Sequence, residues 1–118
     1  MKTNTTPITA TIPSLVFDYG RKRIPLNEIS HLKSEFGNYT KVHLKREETI
    51  LSAFTLKYYS EKLKNTKRFI QPRKGVVINK NEVDCLENTD DGLFVRMKSG
   101  IKFKVSRRKT VEFAQMFA

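Results

Sequence analysis

Short runs of strict two-residue alternation, repeated along most of the chain, constrain this sequence most. From Tyr39 to Lys45, Thr40, Val42 and Leu44 fall on one side, and Lys41, His43 and Lys45 on the other. From Ile101 to Ser106, Ile101, Phe103 and Val105 point inward while Lys102, Lys104 and Ser106 point outward. Period two is the signature of a half-buried strand, because successive side chains leave a strand on opposite faces. Leu15, Phe17 and Tyr19 alternate likewise, and Ile29–Glu35, Thr49–Phe54, Phe69–Gln71, Val83–Glu87 and Leu93–Met97 read as further strands between turn residues. Ile24-Pro25-Leu26 is too short and proline-bound for a central strand, and Pro72 is expected to break the strand that Phe69 begins. The longest apolar run is Val76–Ile78 with Gly75 before it.

Two segments depart from this period. Thr55 is a capable N-cap, and Leu56, Tyr59 and Leu63 then recur at helical spacing until Asn65-Thr66. Near the end, Val111, Ala114 and Phe117 form a second short helical stripe. About nine strands against two short helices predict an all-β domain. The chain has 118 residues, enough for one modest core. Residues 1–13, rich in Thr with Pro7 and Pro13, read as an arm with a short extended piece at Ile8–Ile12, and 14–118 as the domain.

No run approaches the ~20 apolar residues of a membrane span, and no secretory signal is visible. The expected location is the cytoplasm. The lone Cys85 can form neither an internal disulfide nor a thiolate cluster, and reads as an inert core thiol. Twelve aromatics, eight Phe and four Tyr, supply the core; most fall at inward positions, and only Tyr39 and Tyr58 read as exposed.

The charge is uneven. Twenty-three Lys and Arg against twelve Asp and Glu leave a net +11. Lys62, Lys64, Lys67, Arg68, Arg73, Lys74 and Lys80 form one acid-free stretch; Arg96, Lys98, Lys102, Lys104, Arg107, Arg108 and Lys109 form another. Between them, Glu82, Asp84, Glu87, Asp90 and Asp91 carry no base, and the fold could place them on the opposite side. Such a surplus is costly self-repulsion unless a polyanion offsets it, and nucleic acid is the commonest polyanion. Catalysis is not expected. Neither His31 nor His43 has a partner at metal-ligand spacing, Glu47-Glu48 reads as ordinary turn charge, and no phosphate loop or nucleophile motif occurs. No cofactor or metal is expected.

Order adds specificity. Ile24-Pro25-Leu26-Asn27-Glu28-Ile29 precedes Gly37-Asn38-Tyr39-Thr40-Lys41-Val42-His43-Leu44. The helix follows, then Phe69-Ile70-Gln71-Pro72-Arg73-Lys74-Gly75-Val76-Val77-Ile78-Asn79, and last Lys104-Val105-Ser106-Arg107-Arg108-Lys109. From about Ser14 to Phe117 this series closely resembles the LytTR DNA-binding domain of the LytR/AgrA class of bacterial response regulators.

The resemblance implies about ten short strands in small stacked sheets with little helix. It also implies sequence-specific binding of duplex DNA in transcription control, with loops and strand ends entering successive major grooves. By position, the family's base contacts fall on Asn38, Lys74 and Arg108, and phosphate contacts on Arg73, Ser106, Arg107 and Lys109. Asn can pair bidentately with adenine and Arg with guanine, whereas phosphate contacts fix register. Where the family often carries His-Arg-Ser, this chain has Arg73-Lys74-Gly75, which retains charge but loses an imidazole and a hydroxyl. The dozen or so residues before the resemblance are too few for a receiver domain, so the expectation is a stand-alone regulator that binds tandem sites and can self-associate on DNA. Two other readings remain open at this stage: single-stranded RNA binding on exposed aromatics, and a protein-interaction module using the Glu82–Asp91 hairpin or the terminal helix.

Overall fold

The computed structural model describes residues 13–17 and 20–117. The arm up to residue 12, with its expected extended piece, and Tyr19 lie outside them. The ten strands are β1 (Ser14–Phe17), β2 (Lys22–Pro25), β3 (Ile29–Glu35), β4 (Tyr39–Leu44), β5 (Thr49–Ser52), β6 (Phe69–Arg73), β7 (Val76–Asn79), β8 (Val83–Thr89), β9 (Gly92–Met97) and β10 (Lys102–Lys104). Helix α1 (Leu56–Leu63) follows β5, and α2 (Thr110–Met116) ends the described chain. The fold is all-β, in three small antiparallel sheets: β1-β2, the five-stranded order β5-β4-β3-β7-β6, and β10-β9-β8.

The five-stranded sheet is covered on both faces. On one face Leu32, Val42 and Val77 pack with Leu15, Phe17 and Ile24 of the small sheet and with Leu56, Tyr59 and Leu63 of α1. On the other, Val76 and Ile78 pack with Leu93, Val95, Met97, Phe103, Val105 and Phe113. All four residues of β7 are therefore buried. A continuous apolar run is what a strand between two cores requires, whereas one-sided strands alternate. β7 ends at Asn79, whose side-chain amide donates to the carbonyls of Ile29 (2.9 Å) and Leu26 (3.4 Å) while its oxygen accepts from the Asn81 N–H (3.0 Å).

Helix α1 forms where the spacing predicts. The Thr55 hydroxyl accepts the Tyr58 N–H at 3.2 Å, and Leu56, Tyr59 and Leu63 are its buried residues. The Tyr59 hydroxyl and Ser52 Oγ bond each other, joining α1 to β5.

Several local expectations are corrected. Pro72 does not break β6, which is an edge strand with a register irregularity between Ile70 and Arg73, where a missing N–H leaves no ladder partner unmet. β5 stops at Ser52, two residues before Phe54. Ile101 precedes β10 and is 42% exposed rather than inward. At the terminal helix the inward residues are Phe113 of α2 and, partly, Phe117 just past its end, with ring centroids at 6.1 Å; Val111 is 68% exposed and Ala114 lies on the surface. Cys85 is exposed, because the β8–β9 register slips between Val83 and Cys85 and reverses the alternation there.

Candidate nucleic-acid interface

Three chain segments far apart in sequence meet at one end of the five-stranded sheet. The β3–β4 turn, Phe36-Gly37-Asn38, closes the ladder that ends at the Glu35–Tyr39 pair. Next to it lies the β6–β7 turn, Lys74-Gly75, since the Ser34 N–H donates to the Gly75 carbonyl at 2.9 Å. The third segment is the single 3₁₀ turn Arg107–Lys109 that follows β10. Its entry is tied to β6 by the Ser106 N–H donating to the Pro72 carbonyl at 2.8 Å, and its exit by the Lys109 ammonium donating to the Gln71 carbonyl at 2.7 Å. Gly75 sits at φ +91°, where an L-residue is strained, and a Cβ there would lie 3.2 Å from Ser34 Oγ. That geometry accounts for glycine at a position where the resemblance leads one to expect serine.

The candidate residues differ in freedom. Asn38, Lys74, Arg107 and Arg108 are exposed, and Arg73, Ser106 and Lys109 are half-buried. Lys109 is partly committed to the fold through its bond to Gln71, leaving its remaining N–H donors for a ligand.

Ion pairing divides the basic residues into two groups. Arg96 bonds Asp84 (2.9 Å) and Glu87 (3.2 Å), and Lys102 bonds Glu87 (2.8 Å). The acidic stretch is thus not set apart from the second basic stretch: β8 lies beside β9 and neutralises the start of it. Lys22, Lys45 and Arg46 pair with Glu48, Glu82 and Glu28, with Arg46 also reaching Glu48. Among the described residues, Arg73, Lys74, Arg107, Arg108 and Lys109 take part in no ion pair.

Of the other described cations that take part in no ion pair, two face each other across strands near these turns. Lys33 and Lys41 stand directly opposite each other on β3 and β4. Like charges in that position destabilise a sheet, which a nearby anion relieves. Both lie outside the two basic stretches, and only strand register brings them together. The exposed aromatics also exceed the expectation: Phe36 and Phe54 join Tyr39 and Tyr58 on the surface.

The far end of the sheet is different. His31 and His43, cross-strand partners, stack with centroids 4.2 Å apart beside a cavity of about 340 Å³ lined by Ser30, Leu44, Lys98 and Ile101 among others. Burial first, then the neighbouring His43 and Lys33, lower the His31 pKa to about 4. The His31 Nδ1 meets Ser30 Oγ at 3.0 Å, and its Nε2 has no partner. Among the described residues, no three His, Cys, Asp or Glu side chains are grouped to hold a metal ion. None of their helices is long and apolar enough to cross a membrane.

A stacked antiparallel-sheet domain that sets Arg73, Lys74, Arg107, Arg108 and Lys109, none of them ion-paired, at converging turns has the form of a polyanion-binding module. The chain belongs to the LytTR family: the family model for the LytTr DNA-binding domain matches residues 19–118. This is a family of DNA-binding domains, not of enzymes. The fold is similar to that of the LytTr DNA-binding domain of a protein described as a methyl-accepting/DNA response regulator from Bacillus cereus. The two superpose with a TM-score of 0.65 at 19% identity, over 89% of this chain and 94% of the other. A comparison with curated proteins finds no match.

Proposed function

We propose that this chain is a transcription regulator that reads duplex DNA by inserting its three converging turns into successive major grooves from one side. The observation that carries the reading is the convergence itself: turns some 35 residues apart in each step, held together by main-chain bonds, bring together cations that take part in no ion pair. Asn38, Lys74 and Arg108 are the proposed base contacts, because they are exposed at the turn tips. Arg73, Ser106, Arg107 and Lys109, with Lys33 and Lys41 beside them, are the proposed phosphate contacts, which set register. Lys74 is a flexible point charge and discriminates bases less sharply than Arg108 with its planar fork. Each domain covers roughly one helical turn, so two molecules occupy tandem sites about 10 base pairs apart or a multiple of it, and contact between neighbours on DNA follows from that spacing.

The test is competition binding among duplex DNA, single-stranded DNA and RNA of matched length, on a site selected from a random duplex pool. Duplex should win, and affinity should fall by about 10³ to 10⁵ between 50 and 200 mM salt if six to ten phosphates are held. Preference for a single strand would move the function to the exposed aromatic pair Phe54–Tyr58, stacked at 4.5 Å.

A further inference from the structure

The β3–β4 turn carries a residue that stability does not explain. Phe36 is 82% exposed, and its backbone is left-handed at φ +52°. Exposing a phenyl ring forgoes burial, and a left-handed conformation is unfavourable for a residue with a Cβ. Polar Asn or Gly would serve such a turn better on both counts. The ring's aromatic neighbour is Tyr39, itself exposed, nearly perpendicular to it at a centroid distance of 6.3 Å. Phe36 is two residues from Asn38 and shares the end of the sheet where Lys74, Arg107 and Arg108 are free of ion pairs.

An apolar ring set among unpaired cations fits a ligand that is anionic overall and apolar at one point. In the major groove, the apolar group on a base edge is the 5-methyl of thymine. We propose that Phe36 is a specificity residue that packs against a thymine methyl one or two base pairs from the base that Asn38 reaches. The inference rests on the duplex-reading function above and adds a thymine preference to it.

The experiment uses the full chain and a selected duplex in which each thymine in turn is replaced by deoxyuridine, which removes only the methyl. Affinities are measured for the native protein and for Phe36→Ala, with a scrambled duplex alongside. For the native protein, one replacement should weaken binding about fourfold, the effect of one buried methyl. Phe36→Ala should lose at least that much on the thymine duplex, bind the scrambled duplex as before, and become indifferent to deoxyuridine at that position. Silence at every thymine, or an unchanged deoxyuridine effect in Phe36→Ala, overturns the assignment while leaving duplex reading intact. Loss of affinity by Phe36→Ala on both duplexes equally overturns it too, placing the ring on the backbone or at a protein contact. Absence of any duplex binding by the native protein would remove the underlying function and the assignment with it.

Discussion

The Lys109 ammonium donates to the Gln71 carbonyl at 2.7 Å, joining the last basic turn to the edge strand β6 across 38 positions of sequence. This lysine is structural as well as cationic. Lys109→Met keeps the aliphatic stem but removes the charged donor. It should destabilise the fold by about 1.5–3 kcal/mol, the range for a hydrogen bond from a charged group. Lys74→Met removes an exposed charge and should leave stability within about 0.5 kcal/mol. Urea unfolding of the two variants separates them; equal midpoints would mean that the Lys109 bond contributes nothing.

Arg73 and Arg108 should fail differently. Arg73 is half-buried at the base of the β6–β7 turn, and Arg108 is exposed at the middle of the terminal 3₁₀ turn. Arg73→Ala should weaken selected and scrambled duplexes alike and lower the salt slope by about one unit. Arg108→Ala should cost about 1–3 kcal/mol on the selected site and relax one base position. Titrations of both duplexes at two salt concentrations give the answer, and a selective loss for Arg73→Ala would reverse the two roles.

Stability should fall with acid through His31. Its pKa is about 4 in the fold against 6.5 when free, so between these values the unfolded chain binds the proton that the folded chain refuses. The contribution is complete above pH 6.5 and is lost as pH falls toward 4, amounting to at most about 3 kcal/mol. His43 and Lys33 act in the same direction on His31, while Glu35 opposes the depression of His43. Denaturation midpoints at pH 7.5 and 5 should differ less for His31→Gln than for the native chain. An identical drop in both would assign the acid sensitivity elsewhere.

Asn79→Ala should be severe. It strips the Ile29 and Leu26 carbonyls of a buried donor and the Asn81 N–H of its acceptor. A loss of about 2–4 kcal/mol is expected from unmet buried groups. Thermal unfolding reads it directly; a shift under one degree would show that water replaces the amide.

Much of this architecture is legible from residue order. Thr55, Leu56, Tyr59 and Leu63 announce α1 because a short helix on a core needs a cap and one apolar stripe, both local properties. Val76–Ile78 announces a strand for a similar reason. The misread elements are those where register decides. A slip between Val83 and Cys85 turns the thiol outward, and the neutralisation of Arg96 and Lys102 requires knowing that β8 lies beside β9. The opposed pair Lys33 and Lys41 is likewise invisible until β3 and β4 are aligned. The basic turns themselves were visible as composition, and their meeting point was not.

β7 supplies side chains to both cores, and this bears on how the molecule opens. A strand whose two faces belong to different cores cannot be released by melting either one alone. Its amides should exchange with solvent only through global unfolding, while the β1–β2 pair and α2 exchange through smaller openings. The β6–β7 turn is fastened directly to this slowest-opening strand. The turn that carries Lys74, proposed above as a base contact, thus stays in place through the fluctuations that loosen the periphery, and is surrendered only when the whole domain is.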